Sequence, residues 1–387
     1  MRWIVSPVSE PQYVNPVRVV FGAGRLDELS TLVEGRALIV TTEGATRRGL
    51  TSRVTDQLDG AFVHDRVQTN PTLADVDRAI AEWHGKPIDV VVGLGGGSAI
   101  DVGKVLSLAL VAPDFSLRRL LETEHPWGAT QPLPMVAVPT TAGTGSEVTP
   151  FATLWDNDAH RKLSATTPLL HPRLALIDPE LALSLPWEVT LSTGLDAYSQ
   201  CFEAICNRNA TPPTTAHAER GLQLVPHALG VLHSEPESLQ ARTDMAEAAL
   251  KSGLAISHTR TGLAHSISYP VTAHFGVPHG LACALALPAV LEFNVETDDG
   301  RLASVARQAG LDGPDELVPE LLKLYDQLGV TDAIRPHLPD LGALASLAPE
   351  MLTPGRADNN IRSAGREDVL AILATTERWY TERLAGL

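Results

Sequence analysis

The sequence predicts an α/β domain with a mostly parallel sheet over residues 1–186, followed by an all-α domain over 187–387. Two observations carry this. Through the first half, short β-branched runs alternate with helical patterns, as strands joined by crossover helices do. After Leu185-Pro186 the strand-like runs stop and long helical periodicities take over. A chain of 387 residues is also the length expected of two domains.

In chain order, VRVVFGAG (17–24) reads as a strand entering a turn, and RALIVTTEG (36–44) as a buried strand ending in glycine. TLADVDRAIAEWHG (72–85) has helical periodicity and follows Asn70-Pro71, a start signal. IDVVVGLGGGS (88–98) and MVAVPTTAGTGSE (135–147) are apolar strands running into loops rich in Gly and Thr. FATLW and RLALID read as antiparallel or edge additions to the sheet. Helices are expected over 188–207, 214–233, 237–258, 261–270, 280–294, 300–310, 314–328 and 365–384.

Composition narrows the function classes. A net charge of −16 argues against nucleic acid or an anionic membrane as partner, while leaving room for a local basic pocket. Three cysteines are too few for a disulfide framework and suit a reducing, cytoplasmic setting. The first twelve residues lack the apolar run of a signal peptide, and no stretch has the apolar length of a membrane span.

The glycine turn GLGGGSAIDVGK (93–104) follows a strand and opens a helix. Gly95, Gly96 and Gly97 let backbone amides approach a pyrophosphate at a helix N-terminus, Ser98 adds a hydroxyl, and Asp101 falls in the first turn. The spacing departs from G-x-G-x-x-G, so the domain is Rossmann-like rather than a standard Rossmann unit. The loop PTTAGTGSE (139–147) offers Thr140, Thr141, Thr144 and Ser146, with positive φ expected at Gly143 and Gly145. Two such loops at adjacent strand ends point to a nucleotide site.

In LSTGLDAYSQCFEAICNRN (191–209), Asp196 and Gln200 stand four residues apart, on one helix face. GLAHSISYPVTAHFGVPHG (262–280) carries His265 and His279. Asp196 with these two histidines makes a 2-His-1-carboxylate set for a divalent metal, Fe(II) or Zn.

Together these motifs resemble the iron-dependent, or group III, alcohol dehydrogenases. The resemblance runs through NPVRVVFGAGRLDEL (15–29), TNPT (69–72), GGGSAID (95–101), PTTAGTGSE, GLDAYSQCFEA (194–204) and FGVPHG (275–280). It implies a dinucleotide-binding domain, a helical metal-binding domain, an interdomain active site, and nicotinamide-dependent interconversion of an aldehyde and an alcohol. It also implies a dimer or larger homo-oligomer. The implied metal ligands match Asp196, Gln200, His265 and His279, with a histidine in the family where this chain has Gln200. The implied dinucleotide contacts match Gly95–Ser98, Thr140, Thr141 and Thr144, and Lys162 lies near the same site by sequence. Thr42 stands where relatives preferring NAD(H) have an aspartate. Its lack of charge, with Arg47 and Arg48 nearby, turns the expectation toward NADP(H) over NAD(H).

The chain departs from the family pattern at Gln200, at Tyr269 and at Ala99. The Gln, with the H-x-I-S-Y and FGVPHG stretches, resembles the branch that reduces phosphonoacetaldehyde. Tyr269 and His274 are the candidate proton donors, and Arg208, His258 and Arg260 the candidate groups for a substrate anion. The rival expectations are an uncharged small aldehyde as substrate, a lyase-type relative of the dehydroquinate synthase group, and a metal-free binding protein.

Overall fold

The computed structural model describes residues 13–122, 130–157, 161–338 and 340–385. Residues 1–12, read above for a leader, lie outside the described residues.

The N-terminal domain is built on six parallel strands in the order β1-β8-β5-β4-β2-β3. They are β1 (Arg18–Phe21), β2 (Ala37–Val40), β3 (Phe62–His64), β4 (Val90–Gly95), β5 (Met135–Pro139) and β8 (Leu174–Ile177). β6 (Phe151–Asp156) and β7 (Arg161–Thr166) form a separate antiparallel hairpin. Helices α1 (Leu29–Leu32), α2 (Glu43–Arg47), α3 (Leu50–Thr55), α4 (Leu73–Trp83), α5 (Gly97–Ala109) and α6 (Leu117–Glu122) complete the domain.

The inner strands β2, β4, β5 and β8 are buried on both faces, which is why they read as continuous apolar runs. Leu38, Val40, Val91 and Ala137 pack with α4 and α5 on one side. Ile39, Val92, Val138 and Leu176 pack with Leu29 and Val54 on the other. The α4 start is fixed by a capping box in which Thr72 and Asp75 satisfy each other's backbone amides.

One strand expectation is corrected. RLALID is no edge addition: β8 is fully buried and pairs in parallel with both β1 and β5. Four consecutive buried residues have no solvent face, which only an interior strand allows. FATLW is antiparallel as expected, within the β6–β7 hairpin.

The second domain is helical among the described residues: α7 (Trp187–Ile205), α8 (Pro212–Ser234), α9 (Leu239–Thr259), α10 (Leu263–Phe275), α11 (His279–Val295), α12 (Arg301–Gln308), α13 (Leu317–Leu328), α14 (Val330–Ile334) and α15 (Arg366–Ala385), with short 3-10 turns between them. α11 is apolar on all sides, so it is the central helix, in contact with α7, α10, α13 and α15. α10 runs past Pro270, where the sequence pattern ended it, because Val271 and Thr272 beyond the proline are buried and hold the next turn in place.

Candidate active site and metal-donor cluster

Three helices bring the donors together. Asp196 comes from the middle of α7, His265 from the first turn of α10, and His279 opens α11. Their donor atoms and the Cys283 thiol all lie within 4.8 Å of one another. His265 Nε2 is 3.2 Å from Asp196 Oδ1. Sγ of Cys283 is 3.9 Å from the His279 ring nitrogens. A tetrahedral zinc-type ion with ordinary bond lengths would separate N from O by about 3.3 Å and S from N by about 3.6 Å. The residues therefore fit a divalent cation.

Close helix approach makes this convergence possible. A Cβ on Gly280, next to His279, would lie 1.7 Å from the Ser192 carbonyl oxygen and 3.1 Å from Asp196 Cβ. Glycine at that position lets α11 lie against α7.

Charge within the cluster is strongly coupled. Burial works to lower the His265 pKa, but Cys283, Glu203 and Asp196 outweigh it and hold the imidazole well above its ordinary value. Burial and the Lys162 ammonium push His279 well below its ordinary value, so it stays neutral. Burial opposes ionisation of Asp196, yet the His265 hydrogen bond and nearby positive charge leave its carboxyl lowered. A divalent cation bound among these groups would offset their negative charge.

Gln200 is on the same face of α7 as Asp196 and buried, but its Oε1 accepts from Ser252 Oγ at 2.9 Å. It ties α7 to α9. The sequence reading missed the carboxylate seven residues after Asp196. Glu203 Oε1 accepts from the His265 amide at 2.9 Å, and Oε2 lies 2.5 Å from His265 Nδ1. This leaves Nε2 to face the donor cluster, the arrangement in which a second carboxylate sets the tautomer of a metal-binding histidine. Glu203→Gln is expected to weaken zinc affinity about 10- to 100-fold. An amide NH₂ facing Nδ1 favours the tautomer with the proton on Nε2. A competition titration with a zinc chelator reads this, and unchanged affinity would remove Glu203 from the role.

The dinucleotide loops also meet. The unit from β4 into α5 has no side-chain cap at its N-terminus, leaving those amides open to an anion. A Cβ on Gly96 would lie 3.1 Å from Thr141 Oγ1, and one on Gly97 2.8 Å from the Thr144 side chain. Ser98 is partly buried in the first turn of α5, and the Thr140 amide donates to Gly95 O. Gly145 has the expected positive φ, 62°. Gly143 does not; it is needed because a side chain there would collide with Thr193 at 2.7 Å.

The other expected residues have partners within the protein. Asp101 and Ser146 are buried and bond to each other. Asp101 accepts from Ser146 Oγ and from the Thr153 amide, and the buried Lys104 ammonium donates to Ser146 Oγ at 2.8 Å. These bonds brace the two loops against each other. Burial brings the Lys104 pKa down to about 8, against the opposing pull of Asp101 and Glu147. His274 stands nine residues after His265, on the opposite face of α10, and pairs with Glu350 at 3.0 Å. Arg208 donates to Asn360 O and Ser363 Oγ, fastening the end of α7. His258 stacks on Tyr13, with Nε2 2.9 Å from Val14 O. None of these three faces the donor cluster.

Lys162 and Tyr269 stand beside the His279 ring. The β6–β7 hairpin carries Lys162 to 3.0 Å from His279 Nε2 and 4.5 Å above the Tyr269 ring. Arg356, which the sequence reading did not single out, donates from Nε to Tyr269 Oη at 3.2 Å. Arg260 has a positive φ of 61° at the end of α9, with its guanidinium beside Gly355. Burial would raise the Tyr269 pKa, but Lys162 and Arg356 outweigh it and lower it. Thr42 caps α2 by accepting from the Ala45 amide, and Arg47 pairs with Glu43 at 3.4 Å. A cavity of about 560 Å³ lies elsewhere, lined by Tyr198, Phe202 and Leu321, and contains none of the donors.

Two family models cover most of the chain: iron-containing alcohol dehydrogenase over residues 16–179, and the C-terminal domain of the same family over 190–376. The chain belongs to the iron-containing alcohol dehydrogenase family. Alcohol dehydrogenase 4 of Saccharomyces cerevisiae is 31% identical over 344 residues, covering 85% of this chain and 87% of that protein. Lactaldehyde reductase of Escherichia coli is 28% identical over 376 residues, covering 92% and 96%. Among solved structures, the sulfoacetaldehyde reductase of Bifidobacterium kashiwanohense in complex with NAD+ superposes with a TM-score of 0.85 at 29% identity, covering 95% of this chain and 98% of that one. As a member of this alcohol dehydrogenase family the chain is an aldehyde/alcohol oxidoreductase, which overturns the lyase-type expectation. No helix among the described residues is long and apolar enough to cross a membrane.

Proposed function

We propose that this protein reduces a small aldehyde carrying a strongly anionic group, phosphonoacetaldehyde to 2-hydroxyethylphosphonate being the specific reading. The observation that carries it is the pairing of Lys162 and Arg356 about Tyr269, beside the metal donors, in a chain of net charge −16. Cations gathered in an acidic protein serve a local anion. The solved sulfoacetaldehyde reductase, named for a two-carbon aldehyde that also carries a tetrahedral anion, supports the same class.

In this reading Asp196, His265 and His279 hold a divalent cation, whose chemistry is Lewis acidity toward the aldehyde oxygen, and the Gly95–Ser98 and Thr140–Thr144 loops hold NAD(P)H, whose chemistry is hydride donation. Tyr269 holds the proton that the product alcohol requires. Its oxygen accepts from Arg356, which leaves the O–H free to donate, and the lowered pKa eases that transfer. Lys162 fixes the Tyr269 ring by a cation–π contact and offsets the substrate's charge. Burial of Asp196 and His265 keeps bulk water away. Arg47 is partly neutralised by Glu43, so the arginine expected to take a 2′-phosphate is weaker for that purpose, and both dinucleotides remain in the reading.

The test is an NADH- and NADPH-oxidation screen comparing phosphonoacetaldehyde, sulfoacetaldehyde and propanal. Two charge-assisted contacts predict a preference of about 10² or more in kcat/KM for the anionic aldehydes. Equal rates on propanal would favour the uncharged-substrate reading. Arg356→Met is expected to lower kcat/KM about 10- to 100-fold more for the anionic aldehydes than for propanal, which loses only the support that Arg356 gives Tyr269.

A further inference from the structure

We infer that the Cys283 thiolate is the fourth protein ligand of the metal, taking the place that Gln200 leaves unfilled. The inference rests on the metal-dependent reading above and concerns how this chain completes the shell. Three observations carry it. Cys283 lies one turn after His279 on the same face of α11, which places its sulfur among the donors with no change of backbone. Its separation from the His279 nitrogens, 3.9 Å, is close to the S-to-N edge of about 3.6 Å for a tetrahedral zinc site. Gln200, the other candidate, has its amide oxygen engaged by Ser252.

The surroundings suit a ligand. Cys283 is fully buried, and besides the other donors of the cluster its sulfur meets Ser268 Oγ at 3.3 Å. Ser268 Oγ donates to His265 O, so it accepts the thiol proton in the metal-free form. On metal binding the S–H bond breaks, the proton leaves to solvent, and a sulfur–metal bond forms. A thiolate beside two imidazoles and one carboxylate moves the site's preference from iron(II) toward zinc.

Zinc-edge X-ray absorption on the zinc-loaded full-length protein tests this, alongside elemental analysis. The expected result is one sulfur scatterer at about 2.3 Å, beside nitrogen and oxygen at about 2.0–2.1 Å. Zinc bound at one per chain with no sulfur scatterer would overturn the inference and leave the metal reading intact. Failure to bind zinc, iron(II) or cobalt(II) would overturn both. Cys283→Ala should lose the sulfur shell and weaken zinc binding by at least about tenfold, while Gln200→Ala should keep that shell. Sulfur lost in Gln200→Ala and kept in Cys283→Ala would also overturn it. Should Cys283→Ala fail to fold, the wild-type spectrum alone decides.

Discussion

Replacing His265 with alanine should remove bound divalent metal and lower kcat/KM for aldehyde reduction by about 10³-fold, since a cation polarising a carbonyl contributes several kcal/mol. The imidazole connects two buried carboxylates: Nε2 faces Asp196 and Nδ1 faces Glu203. Its loss leaves Asp196 Oδ1 and Glu203 Oε2 without the imidazole in a buried site, Glu203 keeping only the backbone amide at position 265 on Oε1. Breaking a buried pair of this kind costs about 3–5 kcal/mol, so a fall in melting temperature should accompany the fall in metal content. Elemental analysis, initial rates and a thermal melt separate the effects. A folded variant with undiminished metal and turnover would refute the assignment of His265 as a ligand.

A single methyl group on Gly280 is expected to be nearly as damaging, by a different route. The added Cβ would lie 1.7 Å from Ser192 O and 2.7 Å from Ser192 C. Both are backbone atoms, so no rotamer change relieves the clash and α7 and α11 must part. Overpacking of this severity costs about 3 kcal/mol, which for a domain of this size is a drop of roughly 6–12 °C in melting temperature. The same displacement moves His279 away from Asp196, so zinc affinity should fall with stability. Gly230→Ala is the control: it is exposed in mid-helix with nothing within 4 Å of its new Cβ, and should be neutral or slightly stabilising. Normal stability and zinc affinity in Gly280→Ala would show that the helix contact is not what sets the site.

Much of the fold was legible because its signals are local. Buried parallel strands need continuous apolar runs, and helices need 3.6-residue periodicity, so β2, β4, β5 and α7–α11 stood out from residue order. β8 was misplaced because four apolar residues fit an edge or an interior strand equally well, and only its pairing with β1 and β5 decides. β3, three residues long, has too little pattern to read.

The site divides in the same way. Asp196, His265 and His279 were legible from residue type and motif, and the structure brings them together. Glu203, Cys283 and Arg356 were not, because an acid, a thiol and an arginine on helices and loops have many ordinary uses. His274, Arg208 and His258 were drawn in by nearness in sequence and turn out to serve other contacts. Within LSTGLDAYSQ, Asp196 faces the other donors and Gln200 accepts from Ser252. By itself the sequence determined the chemistry available, that is, which donors, glycines and periodic faces the chain possesses. Only the tertiary structure decided which donors share one pocket, because that depends on how closely α7, α10 and α11 approach, and the approach is set by contacts between residues distant in the chain, such as Gly280 against Ser192.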